Sequence, residues 1–187
     1  MTAPTTDRRG GGEAPAADVN ADFKCAELLM VRHGESEGNV GKSTDPDCAL
    51  TERGLAQARA LTQRLRAFDL SGFAGVTSPY RRAVQTAEAL ALQLGVRFEV
   101  DEALREWGPA AVVGGSSYPQ EPVLDAVGRL EAFLRRNEGR RLLIVSHAAP
   151  IALITQLAWG ERPVIDGPFW AGVGNCGPRW VKTTCRV

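Results

Sequence analysis

The chain has 187 residues, 44% of them hydrophobic and 24% charged, with 22 basic side chains balanced by 22 acidic ones. That length suits a single domain with a substantial core. A zero formal charge excludes the global field that draws a protein to nucleic acid or an anionic membrane. No nucleic-acid or membrane partner is therefore expected, and any anionic ligand must be read by a local cluster of charge.

In chain order, residues 1–24 are rich in Ala, Pro, Thr, Gly and charge, include Gly10-Gly11-Gly12, and read as a flexible tail. Residues 25–187 read as one domain. Leu28-Leu29-Met30-Val31 is a short apolar run ending at Arg32-His33-Gly34, the pattern of a buried strand. A polar loop from Gly34 to Leu50 follows. Thr51 then suits a helix N-cap, and Leu55, Ala58, Leu61, Leu65 and Phe68 recur at helical spacing. A short strand, Gly75-Val76-Thr77, reaches Ser78-Pro79. A second helix is predicted over 80–94 and is closed by Gly95, and Val96 to Val100 alternates like a strand. Between Trp107 and Pro122, prolines and glycines break any regular element, so a loop is expected. A helix is predicted over about 123–136, with Val127, Leu130, Phe133 and Leu134 on its apolar face. The run Leu142 to Val145 is another strand, leading to Ser146-His147, with Pro150 placed for the first turn of a helix that ends near Gly160. One or two strands are expected after Val164. Strands alternating with helices predict a three-layer α/β/α fold around a mostly parallel sheet.

Four cysteines, Cys25, Cys48, Cys176 and Cys185, show no C-x-x-C pair and no zinc spacing with the histidines, and read as reduced structural thiols. No metal and no cofactor is expected. With no secretory segment ahead of the first strand and no apolar run of about 20 residues, a cytoplasmic location is the expectation.

The chain has two histidines, His33 and His147, and both follow a predicted strand. In open α/β sheets ligands bind outside the carboxyl ends of the strands. Phosphoryl transfer needs charge neutralisation, a nucleophile and help for the leaving group. A neutral His33 can supply the nucleophile, and Arg32 beside it carries a planar fork suited to phosphate oxygens. An adjacent arginine lowers the pKa of His33, and Gly34 allows backbone N–H groups close to a ligand. Taken alone, His33 reads equally as a hydrogen-bonded structural residue and Arg32 as a surface charge. The second strand end, Ser78-Pro79-Tyr80-Arg81-Arg82, opens a helix, a geometry that favours anions.

These segments resemble the histidine phosphatase superfamily, the phosphoglycerate mutase-like proteins. Arg32-His33-Gly34-Glu35-Ser36 with Asn39 is similar to the family's nucleophile motif. Leu50-Thr51-Glu52-Arg53-Gly54 and Gln57-Ala58 match the turn and helix that follow it. Ser78-Pro79, Arg82-Ala83 and Gln85-Thr86-Ala87 match the second phosphate-binding motif. Leu104-Arg105-Glu106 resembles the segment of the proton donor, and Val145-Ser146-His147 the second histidine motif. The resemblance implies that His33 is phosphorylated, with Arg32, Arg82 and His147 forming a cationic pocket and Arg81 solvated. It also implies a hydrogen bond from Asn39, with Ser36 and Ala148 as further ligand contacts, and Glu106 as proton donor. Glu102 lies close enough in sequence to compete for that last role.

The chain departs from the family pattern in three places. His147 follows Glu106 by 41 positions, which leaves little room for a lid and favours hydrolysis over mutase chemistry. Ala148 stands where a glycine is usual. The segment Gly174 to Trp180 has no function derivable from sequence. The expectation is a metal-independent phosphomonoester hydrolase acting on a small phosphorylated metabolite. The alternatives are a phosphohistidine or phosphoprotein phosphatase, a phosphoglycerate-type mutase, and a non-catalytic phospholigand-binding module.

Overall fold

The computed structural model describes residues 27–109, 120–160 and 173–182. The tail expected over 1–24, Cys25, Cys185 and most of the loop expected before Pro122 lie outside these residues. In chain order the elements are β1 (Glu27–Arg32), α1 (Glu52–Leu65), β2 (Phe73–Thr77), α2 (Arg81–Leu94), β3 (Phe98–Val100) and a 3-10 turn (Glu102–Leu104). They continue with β4 (Gly108–Pro109), β5 (Gln120–Glu121), α3 (Val123–Arg136), β6 (Arg141–Ser146), α4 (Ala148–Ala158) and β7 (Pro178–Lys182).

The central sheet has five strands in the order β3-β2-β6-β1-β7. β3, β2, β6 and β1 run parallel, and β7 closes the edge antiparallel to β1. Alternation along the strands divides the core. Leu29, Val31, Leu143 and Val145 face α1 and α2 through Ala58, Leu61, Ala83, Ala87 and Leu90. Leu28, Met30, Leu142 and Ile144 face α3 and α4 through Leu130, Phe133, Ile151 and Ile154. With both faces covered, the strands carry continuous apolar runs in place of the alternation of a half-exposed sheet. The result is the expected three-layer α/β/α architecture.

Register places the two histidines side by side. Arg32 pairs with Ser146 across β1 and β6, so His33 and His147 are the next residues to leave the sheet on neighbouring strands. β2 pairs Thr77 with Val145, which brings Ser78 out at the same edge.

Several elements depart from expectation in instructive ways. Phe68 lies beyond the end of α1 and is 51% exposed, stacked near Trp180 at a centroid distance of 5.7 Å. Its helical spacing continued past the point where the chain turns. β2 begins two residues earlier than its β-branched core suggests, because Phe73 and Ala74 pair with Arg141 and Leu142. In the segment expected to be a loop, Gly108-Pro109 pairs in parallel with Gln120-Glu121, a two-residue ladder outside the main sheet. Among the described residues, no helix is long and apolar enough to cross a membrane.

Candidate active site

β1 delivers His33 to the carboxyl edge, where it is almost wholly buried. Its main-chain N–H donates to Ser146 O at 3.0 Å, which ties the first strand end to the second. The ring Nδ1 lies 2.6 Å from the Gly34 carbonyl. A carbonyl only accepts, so Nδ1 carries the hydrogen and Nε2 presents its lone pair. That lone pair accepts Arg82 Nε–H at 3.1 Å. Burial above all, then Arg82 and more weakly Arg32, hold the His33 pKa well below the usual imidazole range. The arginine effect expected from sequence is present but secondary, and the Arg beside His33 in the chain contributes less than Arg82.

Arg82 lies in the first turn of α2 and is 1% exposed, although it is one of the two arginines there that sequence leaves ambiguous. Its neighbour Arg81 is exposed. The Arg82 guanidinium spans the site. Besides His33, it donates to His147 Nδ1 at 3.1 Å and to the Pro46 carbonyl, and it lies 4.9 Å from the centroid of the Tyr80 ring. Because a guanidinium cannot accept, His147 Nδ1 is the acceptor, and its hydrogen must be on Nε2. Nε2–H then donates to Ser78 Oγ at 2.7 Å. The two rings stand 5.1 Å apart in opposite tautomers. Burial first, with Arg82, His33 and Arg32 adding to it, lowers the His147 pKa well below its ordinary value. Both histidines are thus neutral around a buried cation, an arrangement suited to an anionic ligand.

Glu106 follows the 3-10 turn, which is capped by Asp101 accepting Ala103 N–H at 2.9 Å. That turn is held from two sides. Ser146 Oγ donates to Leu104 O at 2.8 Å. Arg129 of α3 donates to Ala103 O and grips Glu121 at 2.7 and 3.1 Å, while Arg105 meets the same carboxylate at 2.9 Å. The Glu106 carboxyl accepts the N–H groups of Trp107 and Ala149, the latter in the first turn of α4. Burial nevertheless dominates those N–H groups, Arg82 and Arg32, and pushes the carboxyl from 4.5 up to about 7. Glu102, the competing carboxylate, is the exposed first residue of the 3-10 turn. A carboxyl that titrates near neutrality can both give and take a proton at physiological pH.

The remaining expected residues take different positions. Arg32 is half-buried and donates from Nη1 to Val173 O at 2.7 Å. Ala148 opens α4 and is buried. Ser36 is buried within the loop after β1, where its hydroxyl accepts Asn39 N–H at 3.4 Å. Asn39 is exposed, with Oδ1 accepting Ser36 N–H at 3.1 Å. The Gly34 N–H donates to Thr86 Oγ1 at 3.1 Å. A Cβ on Gly34 would stand 2.5 Å from Gly54 O, so the loop and the start of α1 touch backbone to backbone. Thr51, Gln57 and Gln85 serve the same loop. Thr51 caps α1 at Gly54 N–H and donates to Glu35 Oε1 at 2.8 Å, Gln57 takes Glu35 N–H at 2.8 Å, and Gln85 takes Leu50 N–H at 2.8 Å.

Sequence reasoning missed Asn175. Its Nδ2 donates to His33 O at 3.0 Å and to Asn39 Oδ1 at 3.2 Å. The signal available was only an asparagine in a glycine-rich turn, 142 positions from His33. Among the described residues no group of three or more His, Cys, Asp or Glu side chains is placed to hold a metal. Cys48 and Cys176 are free, buried thiols.

The family model of the histidine phosphatase superfamily, branch 1, matches residues 28–121. A 2,3-bisphosphoglycerate-dependent phosphoglycerate mutase of Methylobacterium is 30% identical, over 78% of this chain and 88% of the mutase. The mouse bifunctional 6-phosphofructo-2-kinase/fructose-2,6-bisphosphatase 1 is 39% identical over 47% of this chain, which spans 18% of that larger protein. Among solved structures, a mycobacterial glucosyl-3-phosphoglycerate phosphatase complexed with VO3 aligns with a TM-score of 0.64 at 26% identity, covering 83% of this chain and 96% of that one. These relatives are phosphatases and mutases, and the two neutral histidines, the shared arginine and the neutral-range carboxyl fit phosphoryl transfer through histidine. The chain belongs to the histidine phosphatase superfamily, branch 1.

Proposed function

We propose that the chain is a cytoplasmic, metal-independent phosphomonoester hydrolase that works through a phosphohistidine on His33 and acts on a small phosphorylated metabolite. The observation that carries this reading is the state of His33. A neutral ring has Nδ1–H fixed on Gly34 O and its Nε2 lone pair in contact with Arg82. Nothing in the chemistry of a structural histidine requires a buried guanidinium at that lone pair.

In this mechanism the phosphoryl group is bound by Arg82 and Arg32, with Asn39 and the first turn of α4 at Ala148 as further contacts. Arg82 Nε–H shifts from His33 Nε2 to a phosphoryl oxygen and so frees the nucleophile. The dianion raises the pKa of both histidines. His147 Nδ1 can then bind a proton and change from acceptor of Arg82 to donor to the phosphoryl group. Nε2 of His33 forms a bond to phosphorus as the ester P–O bond breaks, and the leaving oxygen takes the Glu106 proton. The Glu106 carboxylate next removes a proton from water, whose oxygen attacks phosphorus. The N–P bond breaks and its electron pair returns to Nε2.

Hydrolysis is favoured over mutase chemistry by the 41 positions from Glu106 to His147, which leave little room for a lid that retains and reorients an intermediate. The similarity to a phosphoglycerate mutase keeps that reaction as the second reading. A panel of sugar phosphates, nucleotides, phosphoglycerates and phosphopeptides, assayed with chelator present, distinguishes them. Hydrolysis releases inorganic phosphate and depends on His33, whereas a mutase yields an isomeric phosphoester. Loss of activity with chelator, or full activity of His33→Ala, contradicts the proposal.

A further inference from the structure

The turn before β7 grips the nucleophile strand at three points. Arg32 Nη1 donates to Val173 O at 2.7 Å, Cys176 N–H donates to Arg32 O at 2.9 Å, and Asn175 Nδ2 donates to His33 O at 3.0 Å. Two of these contacts leave Asn175 with no part, and Cys176 holds the turn with φ of 50°. The third is made by a side chain that also reaches Asn39.

Hydrogen-bond chemistry fixes both amides. The His33 carbonyl only accepts, so the Asn175 atom facing it is Nδ2. The Ser36 N–H only donates, so the Asn39 atom facing it is Oδ1. Asn175 Nδ2 bonds that same Oδ1 at 3.2 Å. Asn39 Oδ1 therefore receives two donors, one from its own loop and one from the far end of the chain. With the oxygen committed, Nδ2 is the only part of the Asn39 side chain left to offer, and no described residue accepts from it.

We propose that Asn175 is a positioning residue: it locks the Asn39 amide with Nδ2 as a hydrogen-bond donor to the phosphoryl group, and anchors the His33 carbonyl while doing so. The inference rests on the phosphate-binding reading of the site. It assigns Asn175 no contact with substrate. Without the Asn175 donor, one bond to Ser36 N–H holds an exposed side chain that is otherwise free to turn over and present its oxygen to an anion.

The test uses the full chain and inorganic phosphate, with affinity measured by titration calorimetry for the parent, Asn39→Ala, Asn175→Ala and the double variant. Loss of one hydrogen bond to an anion weakens binding by about 10- to 150-fold, so each single variant is expected in that range. If Asn175 acts through Asn39, the double variant binds within about twofold of Asn39→Ala. A merely structural role lowers the melting temperature and multiplies with Asn39→Ala. Asn175→Asp keeps the shape and removes the donor, and the Asn39 side-chain amide signal in a 15N-correlated NMR spectrum is then expected to lose its response to phosphate. Parent-like binding by Asn175→Ala, or independent losses in the double variant, overturns the inference and leaves the site reading standing. Phosphate binding that does not depend on Arg82 overturns both.

Discussion

Glu106→Gln isolates the cost of burying an acid at this site. The carboxyl titrates near 7 in the fold, against 4.5 when free. Between those values the native state holds a proton that the unfolded chain releases, so stability falls as pH rises through the window. Each pKa unit corresponds to about 1.4 kcal/mol, which gives a penalty of about 3 kcal/mol above pH 7. Glutamine keeps an oxygen for the Trp107 N–H and never ionises. The variant is therefore expected to match the parent near pH 4.5 and to exceed it by about 3 kcal/mol at pH 8, or about 6–12 °C in melting temperature. His33 and His147 act with the opposite sign. Their lowered pKa values leave stability intact above the free imidazole value near 6.5 and remove it as pH falls below that value. The difference between variant and parent, not the parent's own slope, is the quantity to follow. The assay is thermal unfolding in phosphate-free buffer from pH 4.5 to 8.5, alongside activity. A difference that does not change with pH refutes the buried-acid argument, whatever happens to catalysis. The same substitution is expected to lower turnover of alkyl phosphates about 10²- to 10⁴-fold.

Other expected outcomes follow from single contacts. Arg82→Lys cannot serve His33, His147 and Pro46 at once, so kcat/KM is expected to fall about 10²- to 10³-fold in steady-state assays while the circular dichroism spectrum is kept. Gly34→Ala drives a Cβ against the Gly54 carbonyl and is expected to cost about 2–3 kcal/mol in urea denaturation; an unchanged midpoint contradicts the close approach. Ser78→Ala strips the acceptor from His147 Nε2–H, with an expected loss of about 1–3 kcal/mol and a raised KM for phosphate esters.

Much of this architecture was legible in the chain because it is local. Helical spacing and end signals place α3 over Val123–Arg136, and Gly95 closes α2 in the left-handed conformation, as a glycine there should. The strand-end positions of His33 and His147 follow from two apolar runs. The pairing of Arg82, rather than Arg81, with both histidines needed the motif resemblance, because the α2 pattern alone offers two adjacent arginines. What was not legible depends on contacts distant in sequence. Asn175 meets His33 only because β7 pairs with β1, and nothing in Gly174-Asn175-Cys176-Gly177 announces that pairing. A further demand on Gly34 was equally hidden: its lack of a side chain lets the loop pack against the Gly54 backbone, a contact 20 positions away in the chain. Phe68 continued a helical period after the helix had stopped, since periodicity records spacing and not where the backbone turns.

Phosphoryl transfer by this route requires a covalent phosphoryl group at His33. Incubation with a 32P-labelled phosphomonoester, rapid quench in alkali and peptide mapping measures it directly. The expected result is an acid-labile, alkali-stable label on the peptide holding His33, absent in His33→Ala and, with an aryl phosphate whose leaving group needs no acid, accumulating in Glu106→Gln because hydrolysis of the intermediate is slowed. A label elsewhere, or turnover of phosphomonoesters with no label in either the parent or Glu106→Gln, contradicts it.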